Sequence, residues 1–126
     1  MEIHESSENY LETILILSNR GNQIRSIDIV NELDYTKPSV SVAMKKLRSN
    51  GYIEMDHDGY ITLTVSGRKI AESMYNRHTM ISDWLILLGV DNNTAVQDAC
   101  KMEHCMSEQS FLALKSHIEK WKSNEN

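Results

Sequence analysis

Cys100, Glu103 and His104 fall at i, i+3 and i+4, a spacing that puts all three on one face of a helix. A thiolate, a carboxylate and an imidazole make a mixed donor set that suits a divalent transition metal. Magnesium or calcium would call for oxygen donors alone. Cys105 stands one position further on and turns away from that face. Three donors do not close a coordination shell, so the triad needs partners from elsewhere. His78 is one candidate, because it interrupts an apolar helical stripe of Ile70, Met74, Ile81, Leu85 and Leu88. A lone histidine in such a stripe is more often a satisfied core residue than a ligand. The pair Asn9 and Glu12, again i and i+3, is a further candidate, although by itself it reads as a solvated helix surface.

A second kind of chemistry lies between Thr36 and Asn50. This segment holds Lys37, Lys45, Lys46 and Arg48 and no acid, in a chain of net charge −5. One basic face on an acidic protein is enough to meet phosphate. On a helix here, Val40, Met44 and Leu47 share one stripe, with Ala43 beside it. Lys37, Ser41, Lys45 and Arg48 share the opposite one. The small residues Thr36, Ser39 and Ser41 near its start allow close approach to a duplex, and the basic residues toward its end reach phosphates. The candidate DNA-binding set is Thr36, Lys37, Pro38, Ser39, Ser41, Val42, Lys45, Lys46 and Arg48.

Both groups depend on the elements that position them. Ser6 or Ser7 can cap a first helix that carries Tyr10, Leu11, Ile14, Leu15 and Leu17 and stops at Asn19-Arg20-Gly21-Asn22. Ser26 caps a short second helix with Ile27, Ile29, Val30 and Leu33. Thr36, with Pro38 in the first turn, opens the third, and Gly51 ends it. The period then becomes twofold: Tyr52, Ile53 and Met55 lead through His57-Asp58-Gly59 to Tyr60, Ile61 and Leu63, a hairpin pattern. A long helix follows Thr64 or Ser66 and closes at Gly89. A fifth runs from Asp91 or Asn92 to about Met106. Ser107 caps a sixth with Phe111, Leu114, Ile118 and Trp121, and the polar end from Ser123 to Asn126 is expected to fray.

This order predicts a mainly α protein: a winged helix-turn-helix over residues 1–63, then an all-helical unit over 64–126. A lone basic helix is usually a solvated face. The helix before it, the tight Asp34-Tyr35 connection and the hairpin after it favour DNA reading, with the recognition helix in the major groove. Glu54, Asp56 and Asp58 make the wing acidic, so little phosphate contact is expected from its tip.

Composition excludes other classes. Two Cys, one Pro and 5 Gly in 126 residues rule out a disulfide scaffold and a Pro/Gly-rich disordered chain. No apolar run approaches the roughly 18–20 residues of a membrane span. The start, Met1-Glu2-Ile3-His4-Glu5, is acidic and does not read as a secretory signal. A cytoplasmic protein with reduced thiols is expected. An enzyme is not, because no second constellation handles a substrate.

Almost the whole chain resembles the diphtheria-toxin-repressor family of metal-activated transcriptional repressors, in its short form. The resemblance rests on Glu8-Asn9-Tyr10-Leu11-Glu12-Thr13-Ile14, Lys37-Pro38-Ser39-Val40-Ser41, Leu63-Thr64-Val65-Ser66-Gly67-Arg68, Arg77-His78, and the run from Cys100 to Ser107. It implies a winged helix-turn-helix followed by a helical dimerisation domain, as in the two-domain manganese sensors. It places the metal positions on Asn9, Glu12, His78, Cys100, Glu103 and His104. It also implies that metal ties the first helix to the long and fifth helices and so fixes each reading head of a homodimer on a palindromic operator. Manganese sensors usually carry Asp and Glu where this chain has Asn9 and Cys100, and iron sensors usually carry Met and Cys. An ancillary site of the iron branch would fall on Val96 and Ser82, which are not ligands.

The expected function is therefore metal-activated repression of iron or manganese homeostasis genes, with iron(II) favoured over manganese(II). The alternatives are a constitutive winged-helix regulator with a decayed metal site and, from another class, a metalloenzyme or redox site on a protein-binding winged helix. Trp84, Leu87, Phe111 and Trp121 are candidates for the dimer seam, with burial inside one chain as the competing reading.

Overall fold

The structure, a computed structural model, describes residues 5–21 and 23–125. The first four residues, the part of Asn22 in the first stop, and Asn126 at the polar end lie outside the described residues. The elements are α1 (Glu5–Asn19), α2 (Ser26–Leu33), α3 (Lys37–Ser49), β1 (Ile53–Met55), β2 (Ile61–Leu63), α4 (Val65–Leu87), α5 (Asn92–Met102) and α6 (Glu108–Glu125). This is the expected order of three helices, a hairpin and three helices. The chain forms two compact units, Met1–Met74 and Tyr75–Asn126, divided within α4.

In the first unit, apolar periodicity becomes one core. Tyr10, Leu11, Ile14 and Leu15 of α1 pack with Ile29 of α2, with Val40, Met44 and Leu47 of α3, and with Ile53, Ile61 and Ala71. The cap of α2 sits one residue before Ser26. The Arg25 N–H donates to Asp28 Oδ2 at 2.8 Å, and the Asp28 N–H donates to the Arg25 carbonyl at 3.0 Å. An acid in the first turn also suits the positive end of the helix dipole. Asp34 then turns the chain with φ 55°, a left-handed conformation that a short polar side chain tolerates. Thr36 caps α3 by accepting from the Ser39 N–H at 3.3 Å, and Pro38 fits the first turn, where no intrahelical N–H is needed.

The hairpin is antiparallel, pairing Ile53 with Leu63, Glu54 with Thr62 and Met55 with Ile61. Asp56 Oδ1 closes its turn, accepting from the Asp58 and Tyr60 N–H groups at 2.9 Å each. The Ile61 N–H donates to the Ile24 carbonyl at 2.7 Å, which ties the hairpin to the segment before α2. Thr64 Oγ1 caps α4 by accepting from the Gly67 N–H at 3.2 Å. Gly67 is required there, because a Cβ would overlap the carbonyl oxygen of Tyr52.

In the second unit, Ile81, Ala95, Ala99, Phe111 and Ile118 are buried. Phe111, a seam candidate from sequence, is thus a core residue. Leu87 and Leu88 are exposed, so the α4 stripe does not extend to Leu88. Trp84 and Trp121 meet edge to face, with ring centroids 5.0 Å apart at 86°. Asp91 caps α5 through the Thr94 N–H, and Ser107 Oγ accepts from the Ser110 N–H at the start of α6. α5 ends at Met102 rather than near Met106: the Cys105 N–H donates to the Met102 carbonyl at 3.1 Å in a tighter turn, and Arg77 takes the carbonyls of Glu103 and Met106.

Candidate metal centre and nucleic-acid face

The last residues of α5 and the turn after it bring the sequence triad together. Cys100, Glu103 and His104 present donor atoms within 4.8 Å of one another, although the helix ends before Glu103. Glu103 caps that end with helical φ and ψ, so the i, i+3, i+4 geometry survives for one more residue. Its side chain is wholly buried. One carboxylate oxygen, Oε2, lies 3.2 Å from His78 Nδ1, and the other, Oε1, lies 3.3 Å from His104 Nε2. His78, the oddity in the apolar stripe of α4, therefore faces the triad. Cys100 is half-buried and Cys105 is exposed, as the helix spacing implied.

The donor set fits a transition metal. With metal–donor distances of about 2.0–2.3 Å, two donors on opposite sides of an ion stand about 4.6 Å apart at most. A cluster within 4.8 Å thus needs only small adjustment to close on one ion. A buried carboxylate is costly unless positive charge sits beside it, and a divalent ion or protonated imidazoles would supply that charge. Asn9 and Glu12 lie one turn apart on α1 in the first unit, Asn9 half-buried and Glu12 buried.

Sequence reasoning passed over Arg77, noting it only as the neighbour of His78. Its side chain is almost fully buried. Nη1 donates to the carbonyls of Glu103 at 3.1 Å and Met106 at 2.9 Å, and Nη2 pairs with Glu108 Oε2 at 2.7 Å. The guanidinium lies 4.8 Å from the Phe111 ring centroid. An arginine within a helical stripe was the available signal, but two of its acceptors are backbone carbonyls, which residue types do not reveal.

The nucleic-acid candidates occupy the outer face of α3 and its cap. Thr36, Lys37, Pro38, Ser39, Ser41, Val42, Lys45, Lys46 and Arg48 are all exposed, while Val40, Met44 and Leu47 are buried behind them. Val42 is 68% exposed, an apolar side chain on an otherwise polar face. Glu54, Asp56 and Asp58 of the wing are exposed as well.

Residues 2–61 match the family described as iron dependent repressor, N-terminal DNA binding domain. Residues 64–125 match the one described as iron dependent repressor, metal binding and dimerisation domain. The chain is 33% identical over 120 residues to an HTH-type transcriptional regulator of Methanocaldococcus jannaschii, covering 94% of this chain and 96% of the relative. It is 32% identical over 116 residues to the transcriptional regulator MntR of Escherichia coli O6:H1, covering 92% and 75%. The structure of the manganese regulator SloR superposes with a TM-score of 0.80 at 27% identity over 90% of this chain. The match spans 53% of the SloR chain.

Proposed function

The chain belongs to the iron-dependent repressor family of metal-activated, DNA-binding transcriptional repressors, and on that premise we propose that it is a homodimer that a divalent transition metal switches onto a palindromic operator. The observation that carries this reading is the convergence of Cys100, Glu103 and His104, with His78 against the buried carboxylate. His78, Cys100, Glu103 and His104 would hold the ion. Bound there, it supplies positive charge beside Glu103 and a tie among the donors. Asn9 and Glu12, assigned to metal by family resemblance, are carried as proposed ligands. Glu103 and His104 come from one turn and His78 from α4, so occupancy would add a tie between that turn and α4.

On the DNA side, Lys45, Lys46 and Arg48 reach phosphates, while Thr36, Lys37, Pro38, Ser39, Ser41 and Val42 approach base edges. Iron(II) is the proposed activator ahead of manganese(II). The Cys100 thiolate is a soft donor, and Asn9 brings a neutral oxygen where a carboxylate would favour the harder, weaker-binding manganese. No helix among the described residues is long and apolar enough to cross a membrane. A role on the chromosome places the protein in the cytoplasm.

The test is operator binding with and without metal. Protein treated with chelator should lose at least tenfold in affinity, and iron(II) added anaerobically should restore it. Equal affinity in both states would leave a constitutive DNA-binding regulator.

A further inference from the structure

We propose that Arg77 is the positioning residue of the metal centre: it holds the Glu103–Met106 turn so that Glu103 and His104 present their donors to one point before metal arrives. The inference rests on the metal reading above. Arg77 and His78 are neighbours on α4, and consecutive helical side chains diverge by about 100°. The two nevertheless meet the same residue from different sides. His78 Nδ1 lies 3.2 Å from the Glu103 carboxylate, and Arg77 Nη1 donates to the Glu103 carbonyl at 3.1 Å. Glu103 is thus gripped at its side chain and at its backbone by adjacent residues of one helix.

The backbone grip answers a need created where α5 stops. The last carbonyls of a helix have no intrahelical N–H partner. Arg77 provides one for Glu103 and, with the same nitrogen, one for Met106 at 2.9 Å, so it spans the turn that carries His104. Glu108 at 2.7 Å balances the charge, and the Phe111 ring lies against the guanidinium plane. A planar fork of five donors can serve two carbonyls and a carboxylate together, whereas a lysine ammonium is a single point. Partners of this kind hold a ligand in its binding orientation and set affinity for the ion without touching it.

The experiment measures cobalt(II) binding to the full-length protein without DNA. Its readouts are competition with a chelator, the Cys100 thiolate-to-cobalt absorption band, and the melting temperature of the metal-free form. Arg77→Lys should raise the cobalt Kd ten- to a hundredfold and alter the band while the metal-free protein still melts cooperatively. Glu108→Gln, at an exposed acid, should change the Kd by less than about threefold. A folded Arg77→Lys protein with parental affinity and spectrum overturns the proposal, as does an equal loss in Glu108→Gln. If Arg77→Lys does not fold, amide exchange on the metal-free parent decides. The Glu103 and Cys105 amides should already be protected, and free exchange until metal is added overturns the proposal. A parent that binds no cobalt overturns the metal reading and the positioning role together. A parent that binds beside an unaltered variant overturns the positioning role alone.

Discussion

Glu103 is the residue on which the proposed metal centre turns. It is fully buried, with one imidazole nitrogen near each carboxylate oxygen, an arrangement that demands compensating charge. The other proposed ligands decide which ion best answers that demand. Cys100 brings sulfur, and Asn9, carried by family resemblance, would bring a neutral oxygen. We expect Asn9→Asp combined with Cys100→Glu to move activation of DNA binding from iron(II) toward manganese(II), by rebuilding a set of hard anionic oxygens. Side-by-side anaerobic titrations of parent and variant check this. A parent that already responds to manganese at lower concentration than to iron would refute the softness argument. The triad itself was legible in sequence, because i, i+3 and i+4 meet on one face wherever a helix runs. His78 was legible as a candidate and through the family resemblance, whereas its spacing alone left it equally a core histidine, which only packing decides.

At the scale of elements, periodicity placed the helices and capping chemistry most of their ends; α1 already runs from Glu5, ahead of the expected Ser6 or Ser7 cap, and Arg25 with Asp28, not Ser26, caps α2. Thr36 with Pro38, Asp91, Ser107 and Gly51 stand where expected. The apolar stripe Val40, Met44 and Leu47 correctly separates the buried from the exposed face of α3. Two features depend on long-range contacts: the turn after the early end of α5, whose carbonyls Arg77 takes, and the burial of Phe111 beneath that arginine. Gly67 belongs to the same class. Its sequence neighbours give no reason for glycine, yet the Tyr52 carbonyl occupies the space of a Cβ. Gly67→Ala should therefore destabilise the first unit by about 1–3 kcal/mol, as an overpacked contact against backbone that no rotamer can relieve. Gly51→Ala should cost about 1–2 kcal/mol, because φ is +80° there but the space is open. Chemical denaturation of the two variants checks both figures. A neutral Gly67→Ala would mean that α4 can shift away from Tyr52 freely.

For the molecule as a whole, the charge is acidic while α3 is basic, so association with DNA should depend strongly on salt. Lys45, Lys46 and Arg48 give three phosphate-reaching cations per reading head. If all of them met phosphate in a dimer, log K would fall with log salt at a slope of about −5, at about 0.9 per contact. Lys45→Ala should reduce that slope by about 2 and weaken binding to all sequences alike, as fluorescence anisotropy across a salt series would reveal. A change in base preference at constant slope would instead put Lys45 at a base edge. The two tryptophans give such measurements a convenient partition. The chain has only Trp84 and Trp121, both in the second unit, set edge to face at 5.0 Å. Indole emission therefore comes entirely from the unit that carries His78, Cys100, Glu103 and His104, and the DNA-reading unit is dark apart from its tyrosines. Nucleic acid contributes almost no emission of its own. The second unit's unfolding can thus be followed apart from that of the whole chain in one unlabelled sample, the tryptophan signal tracking the α4–α6 packing and far-ultraviolet dichroism tracking all the helices.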